Sequence, residues 1–413
     1  MGINMEKSIL WISACVPYDK VPHAGGKIHN YYLKYLKSHS DYKIKLLSFY
    51  WDSEKEMIDL DKYGIDYDLI ERRIWHLPDI LINTESVLNP WNRYAGINQN
   101  YTIIQIKKRI AEYVKQGLSP DVVILQWTEM IVLIDIIKEF YPDSIYIGIE
   151  EEVKFLGYER KATSSRGFNR VFSQIRYSRL KAIELSACSK CDRVILNNFK
   201  DLELLVECGV KRDLLTEWQP YFDSFIDEQY IGDKKQVVFY GAMWRIENIE
   251  AAIFLIKEVL PLIKDKNVEI LIIGSSPPEE LKKLESDRVH ILGFVDSIKK
   301  YLKEGACFAA PLRKGAGIKI KILEAMSAGI PILTTGIGIE GIRAENGKEY
   351  YHCTSPQEYA KKIDELIINI ELRYTISNNQ KAFIKNRFDL KKSGNSFIGM
   401  MRELMERGNG KYF

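Results

Sequence analysis

Residues 309–342 read AAPLRKGAGIKIKILEAMSAGIPILTTGIGIEGI, and this stretch decides the fold. The run CFAAP over 307–311 is short and apolar, as a buried strand is. KGAG over 314–317 is a glycine-containing turn. Ile318, Ile322, Ala325 and Met326 recur at helical spacing, which predicts a helix over 318–328 with one face on a sheet. Gly329 fits the left-handed position that ends a helix, and Pro331 cannot continue one. PILTT over 331–335 is the next buried strand. Strand, glycine turn, helix and strand make a βαβ unit, whose helix start presents bare N–H groups to an anion.

On that helix Lys321 and Glu324 are three apart and share a face. In an ordinary βαβ unit such a pair is a surface ion pair worth little. Beside an anion-favouring helix start it has a second reading. The carboxylate can accept both hydroxyls of a ribose, while the cation and bare amides hold a diphosphate.

The surrounding residues favour the second reading. Pro311-Leu312-Arg313, Gly315-x-Gly317, Lys319-x-Lys321-Ile322-Leu323-Glu324-Ala325-Met326-Ser327, Gly329-x-Pro331 and Gly338-x-Glu340-Gly341-Ile342 follow one another in register. This string resembles the nucleotide-binding half of the family-4 retaining glycosyltransferases of the GT-B fold, in a Gly-x-Gly variant. The resemblance implies an α/β protein of two Rossmann-like domains facing a central cleft. It implies transfer of a sugar from a nucleoside-diphosphate donor to a glycan or lipid-linked acceptor, with retention at the anomeric carbon. It implies no cofactor and no metal. The family carries two glutamates eight positions apart, of which the second binds the ribose. Glu324 matches the second, whereas the first falls on Ala316, which has no carboxylate.

The 413 residues suffice for two domains with full cores. A net charge of +3 carries no nucleic-acid signature, and no nucleic-acid motif is present. The six cysteines include one CxxC, Cys188 and Cys191; a single pair cannot complete a structural zinc site, so it reads as packing. No secretory leader and no membrane-length apolar run are read, so a cytoplasmic protein is expected, peripheral at most on the inner face of a membrane.

In the first half, apolar strands are expected at 9–16, 43–49, 122–126, 144–149 and 193–196. Helices are expected at 27–36, 101–115, 129–140 and 200–208. Gly25 and Gly26 end the loop after the first strand, and such glycines allow close backbone approach to a ligand. The resemblance places them against the donor, with His23 and Lys27 flanking. The D-x-D strings Asp59/Asp61 and Asp66/Asp68 lie in a polar stretch without a clear strand and read as surface. Glu150, Glu151 and Glu152 stand at a strand's carboxyl end, where open α/β sheets place their sites. Glu151 and Glu152 are the catalytic candidates. By the resemblance Glu151 occupies a position commonly held by histidine. A carboxylate there can steer an acceptor hydroxyl, bind donor-sugar hydroxyls, or be inert in a solvated loop. Residues 154–181 hold eight Lys/Arg and one acid, interleaved with aromatics. That stretch is either a peripheral membrane contact for anionic lipid headgroups or a basic solvated helix face.

The irregular stretch 218–235 is the expected linker, dividing 1–217 from 236–388. A terminal helix over 389–413 returns to the first domain by the resemblance. The second domain opens with strand QVVFY at 236–240, turn 241–245 and a helix over 248–259. The family places an arginine and a lysine after this strand to hold the diphosphate. Here those positions are Ala242 and Glu247. The charge is therefore assigned to Arg245 with Arg313, Lys319 or Lys321, and Lys321 is ranked first for its closeness to Glu324. Phe294 and Val295, after the strand over 289–292, are carried over as nucleobase contacts. The donor-binding set is Gly25, Gly26, Arg245, Phe294, Val295, Arg313, Gly315, Gly317, Lys319, Lys321 and Glu324. Two rivals are a silent nucleotide-sugar-binding protein of the same fold and a sugar-nucleotide epimerase of GT-B architecture.

Overall fold

A computed structural model describes residues 7–72, 89, 91, 93–94, 96–315 and 317–409. Ala316 lies outside the described residues, as does much of the stretch between 73 and 95. The chain divides into two compact units, residues 1–221 with 390–413, and residues 222–389.

The first unit is built on a seven-stranded sheet in the order β3-β2-β1-β4-β5-β6-β7, every neighbouring pair parallel. Its strands are β1 Ser8–Ser13, β2 Lys43–Tyr50, β3 Asp66–Glu71, β4 Val122–Gln126, β5 Ile145–Glu150, β6 Arg193–Leu196 and β7 Leu215–Glu217. The inner strands β1 and β4 are continuous apolar runs because helices cover both faces of a parallel sheet.

Three sequence expectations change here. Asp66 and Asp68 lie on β3, an edge strand, not in an unstructured surface stretch. Asp66 meets Lys45 at 3.1 Å, and Asp68 accepts the Tyr113 hydroxyl at 2.8 Å. The helix expected over 129–140 is two short pieces, Thr128–Ile131 and Ile134–Lys138. Met130, Ile131, Val132, Leu133 and Ile134 are all buried, and five consecutive apolar residues cannot share one helical stripe. Gly25 and Gly26 lie in the first turn of helix Ala24–His39 instead of in the preceding loop. His23 caps that helix by accepting the Gly26 amide at 3.0 Å.

Residues 154–181 fall on two helices, Lys154–Ser164 and Gly167–Cys188. Helix Leu390–Asn409 packs within this first unit. Its Phe397 meets Trp218 at 5.1 Å and Tyr32 at 6.0 Å between ring centroids. Tyr32 stacks on Trp218 at 3.8 Å. Gly394 is required there, since a Cβ on it would stand 2.4 Å from the Tyr35 ring.

The second unit has a six-stranded sheet in the order β10-β9-β8-β11-β12-β13. Its strands are β8 Gln236–Tyr240, β9 Glu269–Ile273, β10 Val289–Gly293, β11 Cys307–Ala310, β12 Ile332–Thr334 and β13 Tyr351–His352, again parallel. Helix Ile320–Ala328 joins β11 to β12, and Gly329 ends it in the left-handed conformation with φ 82°. Helix Ile246–Phe254 follows β8. No described helix is long and apolar enough to cross a membrane.

Candidate active site

In each sheet the strand order reverses direction once, between β1 and β4 in the first unit and between β8 and β11 in the second. Ligands of open parallel sheets bind outside the carboxyl ends of the strands at that switch point. The sequence candidates fall on the segments that leave those strands.

In the second unit, Arg245 lies in the turn after β8, and Arg313, Gly315, Gly317 and Lys319 lie in the loop after β11. Lys321 and Glu324 follow on helix Ile320–Ala328. Gly315 and Gly317 have φ of 114° and 68°, which other residues rarely adopt. The Lys321 ammonium turns back toward β8 and donates to Asn248 Oδ1 at 2.6 Å. It sits 5.1 Å from the centre of the Phe239 ring. Gly241 makes room for it, because a Cβ there would lie 2.5 Å from Nζ. Burial pushes the Lys321 ammonium down to about 7; Arg245 and Lys319 push the same way, and Glu247 and Glu324 oppose them. Arg245 and Lys319 are thus each close enough to Lys321 to repel its charge. Such a cluster is what a diphosphate neutralises.

Glu324 is 6 % exposed and accepts the Tyr240 hydroxyl through Oε2. That carboxylate lifts the Tyr240 phenol well above its ordinary value, after burial. A carboxylate has about four acceptor sites, of which the tyrosine hydroxyl takes one. Lys319 lies 3.8 Å from Glu340 and donates to the Gly317 carbonyl at 2.5 Å. Arg245 pairs with Glu247 at 2.6 Å.

Arg313 is turned elsewhere, with its guanidinium 4.3 Å above the Phe254 ring. Phe294, 74 % exposed, and Val295 follow β10, two strands from the switch point. Sequence reasoning missed Tyr240 and Asn248. Asn248 is 4 % exposed and also donates to the Ala242 carbonyl at 2.9 Å.

In the first unit, Gly25 stands at the start of the helix after β1, and Trp127 follows β4 with φ 72°. A positive φ on a bulky residue is strained and points to a site. The Trp127 ring lies 3.2 Å from where a Cβ on Gly25 would be, and the Glu151 side chain 3.4 Å. Gly26 packs on Val21 and His23. Glycine here lets the helix start approach indole and carboxylate together.

The acids at the end of β5 are not simply a solvated loop: Glu150 is the last residue of the strand, and Glu151 and Glu152 follow it. Glu150 is 1 % exposed and accepts the Thr128 hydroxyl at 2.5 Å. Burial, with Glu184 nearby, holds its carboxyl well above the usual range. Glu151 accepts from Gln126 at 2.5 Å and from Asn197 at 2.6 Å. Burial pushes this group up, and the two amide donors pull it down. Glu152 lies 3.5 Å from Lys154, which also meets Glu129 at 3.1 Å. Gln126 and Asn197 carried no sequence signal beyond their place at strand ends.

Residues 234–369 match the model of a family described as Glycosyl transferases group 1. An uncharacterised 44.6 kDa protein in the cps region of Klebsiella pneumoniae is 28% identical over 167 residues, 38% of this chain and 43% of its own. An uncharacterised glycosyltransferase of Methanocaldococcus jannaschii is 26% identical over 198 residues, 44% of this chain and 48% of its own. The chain thus spans less than half the length of these curated relatives. Among solved structures, Anabaena HepE in complex with UDP superposes with a TM-score of 0.67 at 15% identity, covering 96% of this chain and 100% of that one. The sucrose-phosphate synthase of Thermosynechococcus elongatus gives 0.71 at 12% identity, with 97% and 100% covered. Over nearly its whole described length the chain therefore has the α/β GT-B fold, and the group 1 glycosyl transferase match falls on its second unit.

Proposed function

We propose that this protein is a retaining glycosyltransferase that moves a sugar from a nucleoside-diphosphate donor to a glycan or lipid-linked acceptor without a metal. The observation that carries the reading is the gathering of Arg245, Lys319 and Lys321 beside Glu324 at the switch point of the second sheet. Glu324 accepts the ribose hydroxyls, with Tyr240 fixing its orientation. The cations and the first amides of helix Ile320–Ala328 take the diphosphate. The chemistry needs charge stabilisation on the departing diphosphate, and fixed cations with helix-start amides supply it. The match over 234–369 supports the reading. HepE is solved with UDP and with UDP-glucose, so uridine diphosphate and its sugars head the ligands to test.

A thermal-shift panel of nucleoside diphosphates and their sugars tests this directly. At least one nucleoside diphosphate is expected to raise the melting temperature, and its sugar to do so too. Glu324→Ala is expected to weaken that ligand about ten- to hundred-fold, the worth of hydrogen bonds to a charged group. Unchanged affinity in Glu324→Ala sinks the ribose assignment. Binding without transfer to any acceptor and without hydrolysis identifies a silent binding protein. Altered sugar released without an acceptor identifies an epimerase.

A further inference from the structure

Glu151 is the meeting point of two hydrogen-bond relays that cross the first sheet from opposite sides. On one side the Trp11 indole N–H donates to Gln126 Oε1 at 3.2 Å, and Gln126 Nε2 donates to Glu151 Oε1 at 2.5 Å. On the other, the Trp218 indole N–H donates to Asn197 Oδ1 at 2.6 Å, and Asn197 Nδ2 donates to Glu151 Oε2 at 2.6 Å. The residues come from β1, the end of β4, and the segments following β5, β6 and β7. Those are five neighbouring strands in spatial order, with the carboxylate on the middle one. Trp11 and Gln126 are fully buried, and Asn197 and Trp218 are 3 % and 6 % exposed.

The direction of each relay is fixed by its outer member. An indole N–H donates and never accepts. Each amide must therefore turn its oxygen to the tryptophan and its NH2 to Glu151. Amide orientation is ordinarily ambiguous; here donor-only indoles settle it. Both oxygens of Glu151 thus receive N–H donors. A neutral acid would need an acceptor for its own proton, and neither amide offers one.

We propose that Trp11–Gln126 and Trp218–Asn197 are positioning pairs that hold Glu151 as an ionised carboxylate, a fixed hydrogen-bond acceptor for sugar hydroxyls at the switch point of the first sheet. The substrate class rests on the glycosyltransferase reading. Trp127 supplies the flat apolar face beside the carboxylate, and Gly25 lets both be approached. Glu151 then binds and orients hydroxyls and does not act as a proton donor. Glu152 follows it in the chain, and Tyr32 on helix Ala24–His39 feels its charge. His23 and His29 of that helix lie against the Trp127 ring, and burial keeps His29 neutral by pushing it down to about 3.

The test follows the side-chain carboxyl carbon of Glu151 by 13C NMR across pH 5 to 9 in the full-length protein, assigned with Glu151→Gln. The expected signal is that of a carboxylate throughout pH 6 to 9. An inflection near pH 8, the value toward which burial pushes this group, overturns the proposal. Asn197→Asp replaces a donor by an acceptor and should force a shared proton, raising the inflection into that range. Trp218→Phe removes the indole N–H, along with part of the ring that stacks on Tyr32, frees Asn197 to turn, and is expected to raise it by about one unit. An unmoved carboxyl in a folded Trp218→Phe protein also overturns the proposal. Transfer should be independent of pH from 6 to 9 in the wild type and should fall with decreasing pH through the raised inflection in Trp218→Phe. Nucleoside-diphosphate affinity should be unchanged, because that site is in the other unit. If the wild type binds no nucleoside diphosphate, the functional reading fails while the charge state of Glu151 is still read.

Discussion

The Lys321 ammonium is buried near Arg245, Lys319, Glu247 and Glu324 and donates to the neutral amide oxygen of Asn248. With the diphosphate bound as proposed, a Lys321 ammonium pushed down to about 7 by burial makes that binding proton-linked. The bound anion favours the charged form and raises the pKa toward the ordinary lysine value. Between those two values binding takes up a proton, so affinity is greatest below pH 7 and falls as pH rises, by at most tenfold per unit. Calorimetry in buffers of different ionisation enthalpy is expected to show uptake of up to one proton at pH 8, abolished by Lys321→Met. No uptake in the wild type places the diphosphate elsewhere. At this scale the sequence was informative about one strand of contacts only. Lys321 and Glu324 are neighbours on a helix, so their spacing revealed them. Tyr240 and Asn248 reach them from β8 and the helix after it, more than seventy residues earlier, and pattern alone does not report such contacts. The same holds for Gln126 and Asn197 around Glu151.

Elements were legible where one periodicity ruled. β4, β6 and β8 fall where continuous apolar runs put them, because a buried parallel strand has no other composition. β3 was missed, since DYDLIE at a sheet edge carries polar residues and only one buried position. The helix Ile320–Ala328 was legible through its stop signal. Gly329 has φ 82°, and a Cβ there would stand 2.2 Å from Ser377 Oγ. Gly329→Ala combines left-handed strain with that clash and is expected to cost about 1–3 kcal/mol. The melting temperature of the second unit should fall by about 2–4 °C per kcal/mol, with nucleotide affinity reduced because Glu324 rides on this helix. A variant as stable as the wild type shows that the helix end can relax.

On the scale of the whole molecule, Phe397 on helix Leu390–Asn409 closes an aromatic cluster with Trp11, Tyr32 and Trp218. Phe397→Ala is expected to destabilise the first unit by about 3–5 kcal/mol. Tryptophan fluorescence should report the loss, while the response of the second unit to nucleoside diphosphate stays as before. Equal destabilisation of both units contradicts that assignment. Because Trp218 also anchors one relay to Glu151, the same variant should slow transfer.

The chain leaves the first unit after Tyr221 and re-enters it at Leu390. A ribosome therefore completes residues 222–389 before it has made the segment that covers Tyr32 and Trp218. The half begun earliest is the half finished last, and until then its aromatic seam is open to chaperones or to a neighbouring nascent chain.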